Sequence, residues 1–414
     1  MVAGNEAASA VDGARLISLI DELSTYGALS GEGVDRQTLT RADIAARRFL
    51  LDVARSYGAH AFRDAAANFF FRWPGTTELD PVVTGSHVDS QPCGGSLDGA
   101  YGVCAAIEVL AALASANYRA RRPIEVVIWT NEEGCRFSPG TMGSSAFVRP
   151  ALLERFRASV DGEGQTFAEA LRGLDAQCFD IPVRNMSLPF FAFIEAHIEG
   201  GTVLEDAATP LGIVEGVQGA RWFTVRIAGR TAHPGTTPLA RKQDALMAAV
   251  EVAADIYKVL RDGDERLRLT IGRMLVTPGS INVVPGEVVL SVDLRHPDTA
   301  VLDTTEATIR ELARPVAGCS VEIERTMLMN PTRFDPGVVQ TLTREAERLH
   351  LPYLLIGSGS FHDALRLSEH CPTGMLFVPS VGGVSHHPDE RTEPRDLVIG
   401  ARLLAQAVVD LADQ

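Results

Sequence analysis

Apolar residues recur along the chain in two rhythms. Near residues 9–25 (ARLISLIDELS) and over 40–57 (TRADIAARRFLLDVARSY) they fall three and four apart. Positions so spaced share one face of a helix, so helices are predicted there. Between such segments stand short β-branched runs, VVTGSH and IEVVIWT, alternating with an Ala/Leu-rich helical run at 103–115. Helices alternating with buried-looking strands predict an α/β layered sheet.

The texture changes at 212. GIVEGVQGARWFTVRIAG reads as strand, QDALMAAVEVAADIYKVL as helix, RLTIGRMLV and SINVVPGEVVLSVDLRH as two strands, and a further helix precedes VEIERTML. That order suits a small antiparallel sheet backed by two helices. After 330 the alternation of helix (VVQTLTREAERL) and strand (TGMLFVPS) resumes. The expected organisation is therefore one α/β domain formed by 1–211 and 330–414, with an α+β domain, 212–329, inserted into it.

Composition narrows the choices. A chain of 414 residues exceeds the roughly 250–300 at which single cores stop growing, which favours two domains. No apolar run approaches the ~18 residues that span a bilayer, so no membrane partner is expected. A net charge of −15 without a Lys/Arg block offers nothing to a phosphate backbone, and nucleic acid is excluded as a partner. The opening MVAGNEAASAVDG lacks the cationic start of a secretory leader, and a cytoplasmic protein is expected. Cysteines at 93, 104, 135, 178, 319 and 371 form no CxxC pair and read as reduced thiols. Cys93 and Cys135 adjoin the motifs below and are candidates for oxidation.

Four apolar runs end in groups that bind metals. GSHVDSQPCGGSLDGAYG follows PVVT and carries His87, Asp89 and Asp98 among glycines that let a loop fold back to the strand end. Residues i and i+2 of a strand share a face, so the Asp89 carboxylate is placed to orient His87. IEVVIWTNEEGC ends in Glu132 and Glu133. Adjacent carboxylates repel and call for a cation, with one as ligand and the other as general base. FFAFIEAHIEGG ends in His197, and VPSVGGVSHHPDE presents His386 and His387 after a glycine-rich turn. Taken singly each has an ordinary reading as a polar turn or a surface loop. Together they place ligands at the carboxyl ends of strands, where open α/β sheets build their sites. A mixed N/O donor set without sulfur suits Zn, Mn, Co or Ni. Two such ions about 3.5–4 Å apart, sharing Asp98, would activate water.

GSHVDSQPCGGSLDGAYGV, WTNEEGCRFSPGTMGSSAF, EAHIEGGTVLED, GRTAHPGTTPLARKQDA, PGSINVVPGEVVLSVDLRHPD, GSGSFHDA and GGVSHHPDE, in this order, resemble the amidase, hydantoinase/carbamoylase family of the metal-dependent aminoacylase/carboxypeptidase superfamily. The resemblance runs over nearly the whole chain. It implies a catalytic domain with a mixed sheet flanked by helices, and an inserted lid and dimerisation domain with an antiparallel sheet. By motif, His87 and His197 would bind one divalent metal, Glu133 and His386 the other, and Asp98 would bridge them. Glu132 would be the general base. His233 in TAHPGTT would reach the substrate carbonyl, Asn282 and Arg295 would clamp a substrate carboxylate, and His362 and Gln91 would line the substrate side. A homodimer acting on a small carboxylate-bearing molecule is implied.

The activity so implied is hydrolysis of the C–N bond of N-carbamoyl-L-amino acids or related ureido acids such as allantoate or β-ureidopropionate. N-acyl-amino-acid or dipeptide hydrolysis with the same site is the alternative, and a non-catalytic binding relative a third. The chain departs from the family at HIEGG, where Gly200 stands in place of a glutamine and removes a side-chain amide that could touch a ureido group.

Overall fold

The computed structural model describes residues 9–30, 33–259 and 264–414. Most of the N-terminal segment considered for a leader, residues 1–8, lies outside them, as does Leu260 at the end of a predicted helix. Two compact units emerge, one comprising the residues up to Glu215 together with Phe334–Gln414, the other Gly216–Arg333.

Up to Val217 the strands are β1 (His60–Arg63), β2 (Phe69–Trp73), β3 (Val82–His87), β4 (Ile124–Trp129), β5 (Ala192–Ile198) and β6 (Gly212–Val217). The second unit holds β7 (Gly219–Ala228), β8 (Arg268–Thr277), β9 (Glu287–His296) and β10 (Ser320–Met329). β11 (Thr332–Arg333), β12 (Leu354–Ser358) and β13 (Thr373–Val378) complete the set.

The large sheet is mixed and runs β1-β2-β4-β3-β5-β13-β6, with β12 and β11 pairing β6. Its four central strands, β4, β3, β5 and β13, are mutually parallel. They are buried along their whole length, as expected of strands covered on both faces. Helices Gly13–Ser24, Ala100–Ser115 and Pro394–Ala412 pack in the same core. The helix Ala100–Ser115 is buried from Ala100 to Leu113, in keeping with a sequence that is apolar on every face but for Glu108, which pairs with Arg15. Because the central strands are parallel, their carboxyl ends lie along one edge, and that edge receives the chemistry.

The second unit is an antiparallel sheet, β10-β7-β9-β8. β9 alternates between buried and half-buried residues, and Val288, Leu290, Val292 and Leu294 turn inward. Helices Ala245–Lys258 and Thr299–Leu312 supply Ala248, Val252, Ile256, Leu302 and Ile309 to the same core.

The structure departs from the sequence expectation at several elements. Residues 212–229 form two strands, β6 and β7, separated at Gln218. The strand read from Ser280 begins at Glu287, because 280–286 turn and bridge Val284 to Ala232. The β1-β2 hairpin has a helix-friendly Ala-rich connection, held as a turn by the Asp64 carboxylate, which accepts the amides of Ala66 and Asn68. Helices Met142–Val148, Leu152–Arg157, Phe167–Gln177 and Pro394–Ala412 also went unpredicted.

Candidate metal centre

His87 is the last residue of β3, and the loop beyond it returns at Gly99. Gly99 has φ +64°, and a Cβ there would stand 2.3 Å from the His87 ring, so glycine alone lets the chain pass. That passage sets Asp98 against three imidazoles. Asp98 Oδ1 lies 3.2 Å from His197 Nε2 and 3.9 Å from His87 Nε2, and Oδ2 lies 2.9 Å from His386 Nε2. His386 Nε2 is also 3.5 Å from Glu133 Oε2. The Glu132 carboxylate reaches within 3.7 Å of His87 Nε2. Two groups of donor atoms close enough to share an ion result, His87 with Asp98 and His197, and Asp98 with Glu133 and His386. Asp98 belongs to both.

The turn after β4 is fixed from the loop that follows β3. Asn131 takes φ +57°, and the Asp89 carboxylate accepts the amide N–H groups of Glu132 and Glu133, each at 3.3 Å. This corrects one sequence expectation: His87 Nδ1 meets the Asp89 backbone carbonyl at 2.8 Å, while the carboxylate stays 3.9 Å away. β3 ends at His87, so the strand geometry that would bring the two side chains together does not continue to Asp89. His197 Nδ1 likewise meets the Ile198 carbonyl at 2.9 Å. A carbonyl accepts only, so both rings carry their proton on Nδ1 and, when neutral, turn the Nε2 lone pair towards Asp98.

Gln91 donates to Glu133 Oε2 at 2.7 Å and accepts from the Cys135 thiol at 2.7 Å. Glu133 Oε1 is buried and has no partner among the described residues. His362 is buried, its ring centroid 4.5 Å from that of His197 and its Nε2 3.0 Å from the Ser358 hydroxyl. Glu195, which the sequence reading passed over, joins His197 and His362 in a third group of possible donors. It accepts from the Ser86 hydroxyl at 2.5 Å and the Ala364 amide at 2.8 Å. Its signal was available: residues 195 and 197 of one strand share a face. His387 lies 3.6 Å from Asp389, away from this cluster of contacts.

The electrostatics are those of a site short of positive charge. Burial and then Asp363 and Glu133 push the Glu132 carboxyl well above its usual range. Burial and Asp98 raise Glu133 to about 8. Burial would raise Asp98 too, but hydrogen bonds from His197 and His386 prevail and hold it low. Those bonds raise His197, against its burial, and His386, each to about 9. Burial lowers His87 to about 4. In the metal-free chain, protons on His197 and His386 thus compensate Asp98. The donor set fits divalent cations in the place of those protons: neutral-capable imidazoles with fixed tautomers, a shared carboxylate, and an unpartnered Glu133 oxygen.

The remaining candidates lie in the second unit. His233 Nδ1 accepts the amides of Gly235 and Thr236, each at 3.1 Å, which leaves Nε2 outward. Asn282 Oδ1 accepts from the Ser280 hydroxyl at 2.8 Å. Arg295 pairs with Asp293 through Nη2 at 2.8 Å and Nε at 3.0 Å.

Comparison with known proteins agrees with this chemistry. The profile of peptidase family M20/M25/M40 matches residues 83–410. The chain is 34% identical to an N-carbamoyl-L-amino-acid amidohydrolase of Rhizobium meliloti, over 97% of each chain. It is 32% identical to the allantoate amidohydrolase of Escherichia coli K12, over 95% of this chain and 96% of that one. An amidase of the hydantoinase/carbamoylase family from Burkholderia multivorans superposes with a TM-score of 0.89 at 39% identity, over 98% of each chain.

Proposed function

Since the chain belongs to peptidase family M20/M25/M40, a metal-dependent family, we propose that it hydrolyses the C–N bond of N-carbamoyl-L-amino acids or related ureido acids at a centre of two divalent ions. His87 and His197 would hold one ion, Glu133 and His386 the other, and Asp98 both. The observation that carries this reading is the convergence of three imidazole Nε2 atoms on the two oxygens of one half-buried carboxylate. The sequence relationship to carbamoyl and allantoate amidohydrolases supports the substrate class.

Ions held there would acidify water and offset charge that develops on the attacked carbonyl oxygen. The chain's own residues supply the rest. Glu132, close to His87 and with its carboxyl raised by burial, takes a proton from water and delivers it to the leaving nitrogen. His233 Nε2 donates to the developing oxyanion. Asn282 and Arg295 hold the substrate carboxylate, for which Arg295 must share its fork with, or release it from, Asp293. A carbamoyl substrate then yields an amino acid, ammonia and carbon dioxide.

Two copies would associate through the second unit. Met247, Val250 and Tyr257 are exposed on the helix Ala245–Lys258, and β8, an edge strand, exposes Met274 and Leu275. Apolar groups and an unpaired strand edge of this kind favour association.

Gly200 supports a second reading, N-acyl-amino-acid hydrolysis. It takes φ +62°, and a Cβ there would meet only Ser385, at 3.4 Å, so the glycine leaves room beside the Asp98–His386 pair for a bulkier acyl group. The protein reconstituted with Mn²⁺ or Co²⁺ separates the two readings on a panel of N-carbamoyl-L-amino acids, allantoate, β-ureidopropionate and N-acetyl amino acids. Release of ammonia together with free amino acid is expected. Amine released from the N-acetyl compounds alone, without ammonia, would replace the ureido reading by the acylase one.

A further inference from the structure

The loop that carries His386 also carries Glu390, a carboxylate to which the mechanism assigns nothing. Glu390 is 4% exposed. Its Oε1 accepts the amide N–H of Leu97 at 2.9 Å and of Asp98 at 3.0 Å. Its Oε2 accepts the amide of His386 at 3.3 Å and stands 3.1 Å from the Ser385 hydroxyl. That hydroxyl is 3.2 Å from Asp98 Oδ2. One side chain thus gathers two loops separated by 292 positions in sequence.

The contacts are selective. Every group bonded to the Glu390 carboxylate belongs to Asp98, to His386, or to the residue preceding one of them. Space has been cleared for it as well: a Cβ on Gly95 would lie 2.1 Å from Glu390 Oε1. Neither loop is held at this point by a strand ladder, so the separation of Asp98 Oδ2 from His386 Nε2, 2.9 Å, depends on what ties the main chains together. Amide bonds to an ionised carboxylate are among the stronger ties, and loss of the acceptor leaves buried donors unsatisfied.

We propose that Glu390 is a positioning residue for the metal centre, fixing the backbone of Asp98 and His386 so that their donor atoms converge. The inference rests on the reading of those two residues as metal ligands. Glu390→Gln keeps the shape but turns an NH₂ group towards amide N–H donors, and Glu390→Ala removes the tie. Mn²⁺ titration of the chelator-treated full-length protein is the test, with Tm of the metal-free form and the kcat and KM of the loaded enzyme measured alongside. Glu108→Gln serves as control, because Glu108 is equally buried but binds Arg15 and the Asp12 amide.

Glu390→Gln is expected to weaken Mn²⁺ binding about 10- to 100-fold, as loss of outer-shell partners does, and to lower kcat with KM within about twofold. Glu108→Gln is expected to lower Tm and leave Mn²⁺ affinity unchanged. Wild-type affinity in Glu390→Gln would overturn the inference even if Glu390→Ala fails to fold. A wild-type protein that takes up no Mn²⁺ would instead overturn the metal-centre reading, and this inference with it.

Discussion

At the scale of single residues, the site is a problem of charge. Glu132 and Glu133 are adjacent and half-buried, and they face Asp98 and Asp89 at close range. Such a group of acids persists in the metal-free chain only by holding protons, and it favours cations that replace them. Glu132→Gln should lower kcat by about 10² to 10⁴ while metal content, measured by atomic emission, stays at the wild-type level. Retained turnover would remove the general-base role. The histidines give a pH prediction with a definite sign. His197 and His386, each raised to about 9 beside Asp98, are protonated at pH 7 without metal and must lose those protons to bind it. Apparent Mn²⁺ affinity should therefore rise with pH from 7 towards 9, with proton release visible as a buffer-dependent heat in calorimetry. A flat profile would contradict the assignment of these two rings. The residues that bear on this chemistry were legible as His, Asp and Glu at the ends of apolar runs. Glu195 was legible too, two positions before His197 on the same strand, but Glu390 was not, because the amides and hydroxyl that its carboxylate meets come from distant segments.

At the scale of elements, parallel β3, β4, β5 and β13 deliver the groups to one edge, and the turns that follow do the fine placement. At Gly99 the φ is left-handed and the missing Cβ makes room for the His87 ring. Gly99→Ala should displace His87 and weaken metal binding by at least tenfold, in addition to roughly 1 kcal/mol of backbone cost. Mn²⁺ titration and thermal melting would separate the two effects. Unchanged Mn²⁺ affinity would mean that the ring's position is set elsewhere. The central strands were readable because short, largely apolar runs between polar or turn-forming residues have few alternatives. The β1-β2 hairpin was missed because its turn depends on the Asp64 side chain rather than on Asn-Gly or Asp-Gly chemistry. The single strand read over 212–229 became two because no sequence signal marks Gln218, where the sheet partners change.

At the scale of the whole molecule, the proposed roles fall in two units, the ligands of the metal centre in one and His233, Asn282 and Arg295 in the other. No helix of the described residues is long and apolar enough to cross a membrane. Association through the helix Ala245–Lys258 predicts that Met247→Glu yields monomers in light scattering, with melting of the monomer little changed because Met247 is exposed. A dimer that survives this substitution would place the interface elsewhere. The order of helices and strands made the two-sheet architecture readable in outline. The sharing of Asp98 by two ions is tested most directly by Mn²⁺ titration of the chelator-treated protein. Two equivalents bound per wild-type chain, and none held tightly by Asp98→Ala, is the predicted result. One equivalent in the wild type, or two retained by Asp98→Ala, would contradict it.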